Sequence, residues 1–412
     1  MTHRVVVTGI GIVSPIGIGV QRFWNKVLDA CVGIGPITRF ETTGYSSRIA
    51  AEITDFDPAD YMEKKRARWT DRFSQFGIAA ARAAIEDAGN PFVRGSSDVG
   101  VFVGSALGGV AFGDQQHDVF RQRGLGAVKP LLAIAVFGGA AACNIAMEFD
   151  VRGPAVTNSN SCAAGTVAIG DAFRAVRRGD VRGAIAGGVE APLSPLTYGA
   201  FTIIGAMSKR NDDPQHASRP FDLDRDGFVM AEGAGILVLE RYEEAVRRGA
   251  HIYGELSGYG ATNDAHHMSA PKPDGESAAR AMMGALEEAS LAPGEVDALN
   301  AHGSSTVLGD RVEVIAVRRV FGDDVAARIP VTATKGQHGH AFGASGAWEA
   351  ALSLLSIERG VLPGVIGLQN DDPQCGLAFV RSARPQRVRT VLSNTTGFGG
   401  LNAALAFKAV ES

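Results

Sequence analysis

The chain carries one strand-to-helix pattern twice, and that repeat most limits what it can fold into. Residues 155–160 begin with an apolar, β-branched run that reads as the end of a strand. After Ser161 and Cys162, residues 163–178 (AAGTVAIGDAFRAVRR) place apolar side chains at helical spacing. Residues 330–335 (PVTATK), a glycine-rich turn and a helix over 344–358 echo the same unit. Around the two copies the alternation continues. It predicts strands at 4–14, 98–104, 183–189, 235–240, 252–260, 297–301, 329–334, 389–395 and 402–409, with helices at 73–88, 241–249, 276–289 and 309–320. Residues 128–147, apolar and rich in alanine, read as one further buried helix. A duplicated βα unit predicts an α/β protein of two similar halves about a pseudo-twofold, each a mostly parallel sheet covered by helices. The halves are placed at 1–250 and 251–412. No Pro/Ser-rich linker separates them, so one rigid body is expected.

Composition narrows the function. With 412 residues, 45% of them hydrophobic, the chain can bury a large core. A formal charge of −4 argues against nucleic acid as a partner. The four cysteines, at 31, 143, 162 and 375, show no CxxC spacing and read as reduced thiols of a cytoplasmic protein. The apolar start (MTHRVVVTGIGIV) is short and broken by glycine, hence a first strand rather than a leader, and no segment suits a membrane span.

Two motifs invite ligand readings and fail them. Gly9-Ile10-Gly11 lacks the third glycine of a dinucleotide fingerprint, because Ser14 stands there. Asp222-Leu223-Asp224-Arg225-Asp226-Gly227 resembles the opening of a calcium loop. Gly233 occupies the position of its bidentate glutamate, with Glu232 one residue early. Neither a metal nor a cofactor is expected.

The residues that point to chemistry sit in small-residue turns after strands. A cysteine in isolation is usually a small buried hydrophobe. Cys162, on a tight turn at the start of a helix, instead faces unpaired N–H groups and the positive end of the helix dipole, both of which stabilise a thiolate. His302 lies in Asn300-Ala301-His302-Gly303-Ser304-Ser305-Thr306, which runs on to Asp310. His340 lies in Lys335-Gly336-Gln337-His338-Gly339-His340, and Gly397-Phe398-Gly399-Gly400-Leu401-Asn402 forms a third such turn. A cysteine with two histidines in roomy loops points to acyl-thioester chemistry. Lys64, Lys65, Arg66, Arg68 and Arg72, with only Asp71 among them, form a basic patch that could steer an acidic partner.

These motifs, with RPFDxxRDGFVxxEGAG at 219–235 and TKxxxGHxxGASGxxE at 334–349, resemble an elongating β-ketoacyl-acyl-carrier-protein synthase, a condensing enzyme of the thiolase superfamily. The resemblance spans residues 4 to about 408. It implies a thiolase-like layered αβαβα fold and a decarboxylative condensation of a Cys162-bound acyl chain with malonyl-acyl carrier protein, in fatty-acid or related chain elongation. It further implies that the N–H groups of Cys162 and Phe398 form an oxyanion hole and that Phe398 gates the pocket. Neutral His302 and His340 would stabilise the malonyl-derived enolate, with Lys335 holding one histidine and Glu349 pairing Lys335. Leu107, Ser304, Thr306, Thr396 and Gly399 would bind substrate. Lys65, Arg68, Lys209 and Arg210 would meet the acidic carrier protein, and the enzyme would be a homodimer. Initiating relatives pair cysteine with His and Asn, and thiolases use a second cysteine; neither pattern is present here.

The chain also departs from the family pattern. Ser304 replaces a threonine, Val307 a proline, Gly336-Gln337-His338 a Ser-Met-Thr-like run, Thr395-Thr396 a Ser-Phe pair and Leu401 a threonine. The role of His338 stays open between a hydrogen bonder at the surface or behind the site, the favoured reading, and a direct catalytic group. The departures open a second reading, the ketosynthase of a specialised type II polyketide or polyene pathway. A decarboxylase-only enzyme and a scaffold subunit are the remaining alternatives.

Overall fold

The computed structural model describes residues 2–410. Ten strands and six helices carry the architecture. The strands are β1 Val5–Ser14, β2 Val99–Gly104, β3 Ala155–Asn158, β4 Gly183–Glu190, β5 Gly233–Arg241, β6 Gly254–Asn263, β7 Ala298–Asn300, β8 Pro330–Thr332, β9 Thr390–Gly397 and β10 Leu401–Lys408. The helices are α1 Arg72–Asp87, α2 Ala140–Phe149, α3 Ala164–Arg178, α4 Glu276–Glu288, α5 Val307–Ala326 and α6 Ser345–Arg359.

The duplication is visible in strand order. Read inward from one edge, the sheet runs β3-β2-β4-β5-β1; read inward from the other, it runs β8-β7-β9-β10-β6, with Ala378–Phe379 added outside β8. The two halves share one order, and they join where Val5–Val7 pair antiparallel with Gly254–Leu256. Within each half four of the five strands run in one direction, as expected of a mostly parallel sheet, and one, β5 or β10, runs against both of its neighbours. The reason is local in β9 and β10, because a three-residue turn can link only antiparallel neighbours. Helices α1 and α2 cover the outer face of the first half and α4 and α5 that of the second, while α3 and α6 pack together in the middle. The result is the layered αβαβα fold of thiolase type. Among the described residues no helix is long and apolar enough to cross a membrane.

The middle helices are buried on nearly every face, as a helix between two sheets must be. Their approach depends on glycine. A Cβ on Gly188 of β4 would lie 1.9 Å from the Gly343 carbonyl oxygen, and one on Gly165 of α3 would lie 2.3 Å from it.

Residues 128–147 do not form one buried helix. They divide into a helical turn at Leu132–Ala135 and the separate α2, with Ile134, Val136, Phe137 and Met147 exposed. Pro130 and Gly138-Gly139 interrupt the run, and total apolarity cannot say which face finds a partner. Helices Val20–Leu28, Val110–Arg123 and Pro195–Ile204 were not foreseen. The second of these buries only Ala111, Phe112 and Gln116, too few for a periodic signal.

Gly188→Ala should therefore lose about 1–3 kcal/mol of stability by overpacking. Guanidinium unfolding midpoints check this, and an unchanged midpoint would contradict the close approach.

Candidate active site

The turn Ser161–Ala163 carries Cys162 from β3 into α3. Ser161 adopts φ +51°, the left-handed region that costs a non-glycine residue energy. The thiol is buried beside Leu193, Met230, Phe228 and Phe342. That burial removes water from the charged form and pushes the thiol up to about 11. The Ser161 hydroxyl, the Lys335 charge and the Phe398 N–H act in the opposite direction, and Glu190 adds to the rise. The site thus rests as a thiol, because desolvation outweighs the polar groups that favour the thiolate.

The second half supplies the histidines. His302 follows β7, in a loop tied down by Glu313 of α5. The buried Glu313 carboxylate accepts the N–H of His302 at 2.6 Å, the N–H of Gly303 at 2.8 Å and the side-chain amide of Asn394 at 2.8 Å. Lys335 is fully buried, and its ammonium uses all three of its hydrogens. It donates to the His302 carbonyl at 2.5 Å, to the Glu349 carboxylate, and to His302 Nδ1 at 3.3 Å. A donor at Nδ1 leaves the imidazole proton on Nε2.

His340 is set in the same way. Ser345 Oγ accepts the Ala341 N–H at 2.9 Å, and among the described residues the acceptor its own hydrogen meets is His340 Nδ1 at 3.0 Å; that bond satisfies the buried hydroxyl and leaves the imidazole proton on Nε2. The two rings meet edge to face, 5.2 Å apart at 85°. Burial first, and then the Lys335 charge, holds both imidazoles well below their usual titration range. They are neutral donors. Burial raises Glu349 to about 7 against the pull of Lys335.

A cavity of about 340 Å³ reaches these groups, lined by Cys162, His302, His340, Phe398, Ser304, Thr306 and Thr396. Lys335 and Glu349 lie behind the lining. The Phe398 N–H points to the Cys162 sulfur, and its ring stacks on Phe201 at 6.3 Å and 20°. Leu107 does not line this cavity. It packs against the apolar cluster that holds Cys162, with its N–H bonded to Glu190 at 3.1 Å. Gly399 also lies outside the lining, its N–H donated to the Met268 carbonyl.

Among the basic candidates, the Lys209 N–H bonds Asp226, itself part of the cavity lining, and the Arg210 guanidinium bonds the Asp224 carbonyl. Lys65 and Arg68 are exposed on the short helix Lys64–Arg68, away from the lining. Two members of their basic run are neutralised, Arg66 by Glu148 and Arg72 by the buried Glu232. The aspartates of the DxDxDG run are bonded within the protein: Asp222 to the N–H groups of Asp224, Gln369 and Asn370, Asp224 to Asn370 and Asp226 to Lys209.

Sequence reasoning missed Glu313, Ser345, Glu190 and Phe201. Glu313 left a signal, a lone acid at helical spacing within VEVIAV; Glu190 left another, an acid ending an all-apolar strand. Glu190 accepts the N–H groups of Ala106, Leu107 and Gly343, and it joins the Leu107 loop to the turn after His340. Burial lifts its carboxyl to about 7.

Residues 2–245 match the beta-ketoacyl synthase N-terminal domain, and residues 253–369 the beta-ketoacyl synthase C-terminal domain. A 3-oxoacyl-(acyl-carrier-protein) synthase 2 from Synechocystis is 42% identical over 407 residues, covering 98% of each chain. Among solved structures, the ishigamide ketosynthase/chain length factor is similar at TM-score 0.93 and 34% identity, with all of both chains covered. A type II PKS acyl-carrier protein in complex with its ketosynthase bound to the hexaketide matches at TM-score 0.90 and 33% identity, again over all of both chains.

Since the thiol is held near 11, iodoacetamide modification of Cys162 should accelerate about tenfold per pH unit between about pH 7 and 9.5. Mass spectrometry follows the reaction, and a plateau near pH 8 would overturn the assignment of a protonated resting thiol.

Proposed function

This chain belongs to the β-ketoacyl synthase family, and from that membership we propose that it elongates acyl chains by decarboxylative condensation on acyl carrier protein. One observation carries the reading: the Cys162 thiol and two neutral imidazoles, each with its proton on Nε2, face one cavity backed by the Lys335–Glu349 pair.

In the first half-reaction the Cys162 sulfur attacks the acyl thioester of the carrier protein, and the thiol proton leaves with the carrier's sulfur. An acyl-Cys162 thioester and a free carrier thiol result. The N–H groups of Cys162 and Phe398 are the donors for the transient oxyanion. In the second, malonyl-carrier thioester loses its carboxylate as carbon dioxide, and the electron pair moves into an enolate whose oxygen takes the two Nε2–H bonds. The enolate carbon then attacks the acyl carbonyl, the carbon–sulfur bond to Cys162 breaks, and the thiolate takes up a proton from water. Neutral donors suit this step, because they stabilise the developing charge without a buried cation to desolvate beforehand.

Lys65, Arg68, Lys209 and Arg210 are the proposed contacts to the acidic carrier protein. Ser304, Thr306 and Thr396, in the cavity wall, are those to the substrate arm; Gly399 and Leu107 would act from outside it, Leu107 at the end of the acyl side. The proposed assembly is a homodimer. It is supported by the outermost strand β3, with Val156 exposed on an unpaired edge, and by the exposed Ile134, Val136 and Phe137. The division at 250/251 and a cytoplasmic location complete the proposal. The division is supported by the repeated strand order and by family matches that end at 245 and resume at 253.

A second reading, the ketosynthase of a specialised type II polyketide pathway, is favoured by the small polar Thr396 in the cavity wall. Kinetics with primers of differing length and unsaturation separate the two, and ordinary saturated-chain preference would sink the second.

Intact-mass analysis is the primary test. Wild type should gain one acyl mass from acyl-carrier thioester and release β-ketoacyl product on malonyl addition; Cys162→Ala should gain none. Decarboxylation without condensation would favour the decarboxylase reading, and neither activity the scaffold. Because burial keeps both folded imidazoles neutral from about pH 6 upward, malonyl decarboxylation should stay flat between about pH 6 and 8. An acid limb with a midpoint near 6.5 would contradict neutral donors. Light scattering should give twice the chain mass, and Val156→Asp should lower it.

A further inference from the structure

His338 is a buried histidine with no place in the mechanism above: it is fully enclosed and outside the cavity lining. It closes the helical turn Lys335–His338. Its Nδ1 lies 2.8 Å from the Gly339 carbonyl, and its Nε2 lies 2.9 Å from the Thr334 hydroxyl. A carbonyl can only accept, so Nδ1 carries the proton and Nε2 takes the Thr334 hydrogen. Both ring nitrogens are satisfied. Thr334 immediately precedes Lys335, and Gly339 immediately precedes His340. One ring therefore fastens both ends of the turn that presents the ammonium and the second imidazole.

The clamp is itself held in place. The His338 ring packs edge-on against Trp348, 4.9 Å between centroids at 73°, and lies 6.1 Å from Phe23. Trp348 donates its indole N–H to the Ala234 carbonyl and directly precedes Glu349, the partner of Lys335. Beyond the clamp, Gly339 takes φ +70°, and a Cβ there would crowd Ala51, Ala231 and the Val229 carbonyl at 3.1 Å. His340 then enters an extended bridge, donating its N–H to Val229 and accepting from Ala231. Burial and the nearby Lys335 charge push His338 down to about 3, so the ring is an uncharged strut at any working pH.

We propose that His338 is a positioning residue for the condensation, setting the spacing between Lys335 and His340 through its paired bonds to Thr334 and Gly339. The inference rests on the proposed function, since it assigns His340 a reacting oxygen to meet. Small displacements of a preorganised donor cost rate rather than binding.

The test measures Cys162 acylation, malonyl decarboxylation, condensation kcat and KM, and thermal midpoint on the purified full chain. The variants are His338→Leu, His338→Asn and Thr334→Val. His338→Leu fills space without hydrogen bonds, and His338→Asn keeps an amide donor for Gly339. Thr334→Val removes one bond and leaves the ring. For His338→Leu, decarboxylation and condensation kcat should both fall about tenfold or more, with acylation and malonyl-carrier KM within about twofold of wild type. His338→Asn should recover most of the loss, and Thr334→Val should fall in the same direction by a smaller factor. Wild-type kcat in folded Leu or Val variants overturns the proposal. So does a loss shared equally by acylation and KM, which would mean general structural damage. If His338→Leu does not fold, Thr334→Val alone decides by the same criteria. A wild type that neither acylates nor decarboxylates overturns the function, an outcome the variants do not mimic.

Discussion

Lys335 sits in the protein with no access to water, and its three hydrogen bonds reach the backbone of His302, the ring of His302 and the carboxylate of Glu349. A buried ammonium is costly to desolvate, and removing its partner would leave an uncompensated charge worth about 3–5 kcal/mol. That cost makes the arrangement rigid. The same charge lowers the titration of His302, His338 and His340 and opposes the rise at Cys162. Burial is the larger cause of the neutral imidazoles; the cation adds to it at all three rings while favouring the ionised thiol, and its field is strong because low-dielectric surroundings do not screen it.

Around this centre the protein places carboxylates where backbone N–H groups need acceptors. Glu313 anchors the loop of His302, Glu190 joins the Leu107 loop to the turn after His340, and Asp310 accepts from Phe221 and Ser305. Each is buried, and each is raised by desolvation, yet each holds a loop that regular structure does not. Active-site loops built from glycine and small polar residues have little apolar surface to hold them. Buried acids replace that missing packing with directional bonds.

The nucleophile and its partners come from opposite halves of the chain. Cys162 opens α3 in the first half; His302, Lys335 and His340 belong to the second. They meet because α3 and α6 occupy one middle layer and because Gly165, Gly188 and Gly343 let the two backbones close up. The repeat places the turn before α3 opposite the turn before α6, so one repeated strand-turn-helix pattern supplies the thiol in one copy and the ammonium and imidazole in the other.

The sequence alone determined the alternation of elements, the duplication and the residues able to do acyl chemistry, since helical and strand periodicity and the small-residue turns around Cys162, His302 and His340 are local properties. It could not determine the state of those residues. The thiol's rise and the proton placing in His302 depend on groups tens to hundreds of positions away, brought near only when the layers close, whereas Glu313, Ser345 and His338 bond groups close in the chain through turns whose shape the local pattern does not state. The reversed direction of β5 and the choice of which faces of residues 128–147 are buried were likewise decided by tertiary contact. Local pattern states which faces are apolar, whereas burial, and with it charge and protonation, is a property of what packs against them.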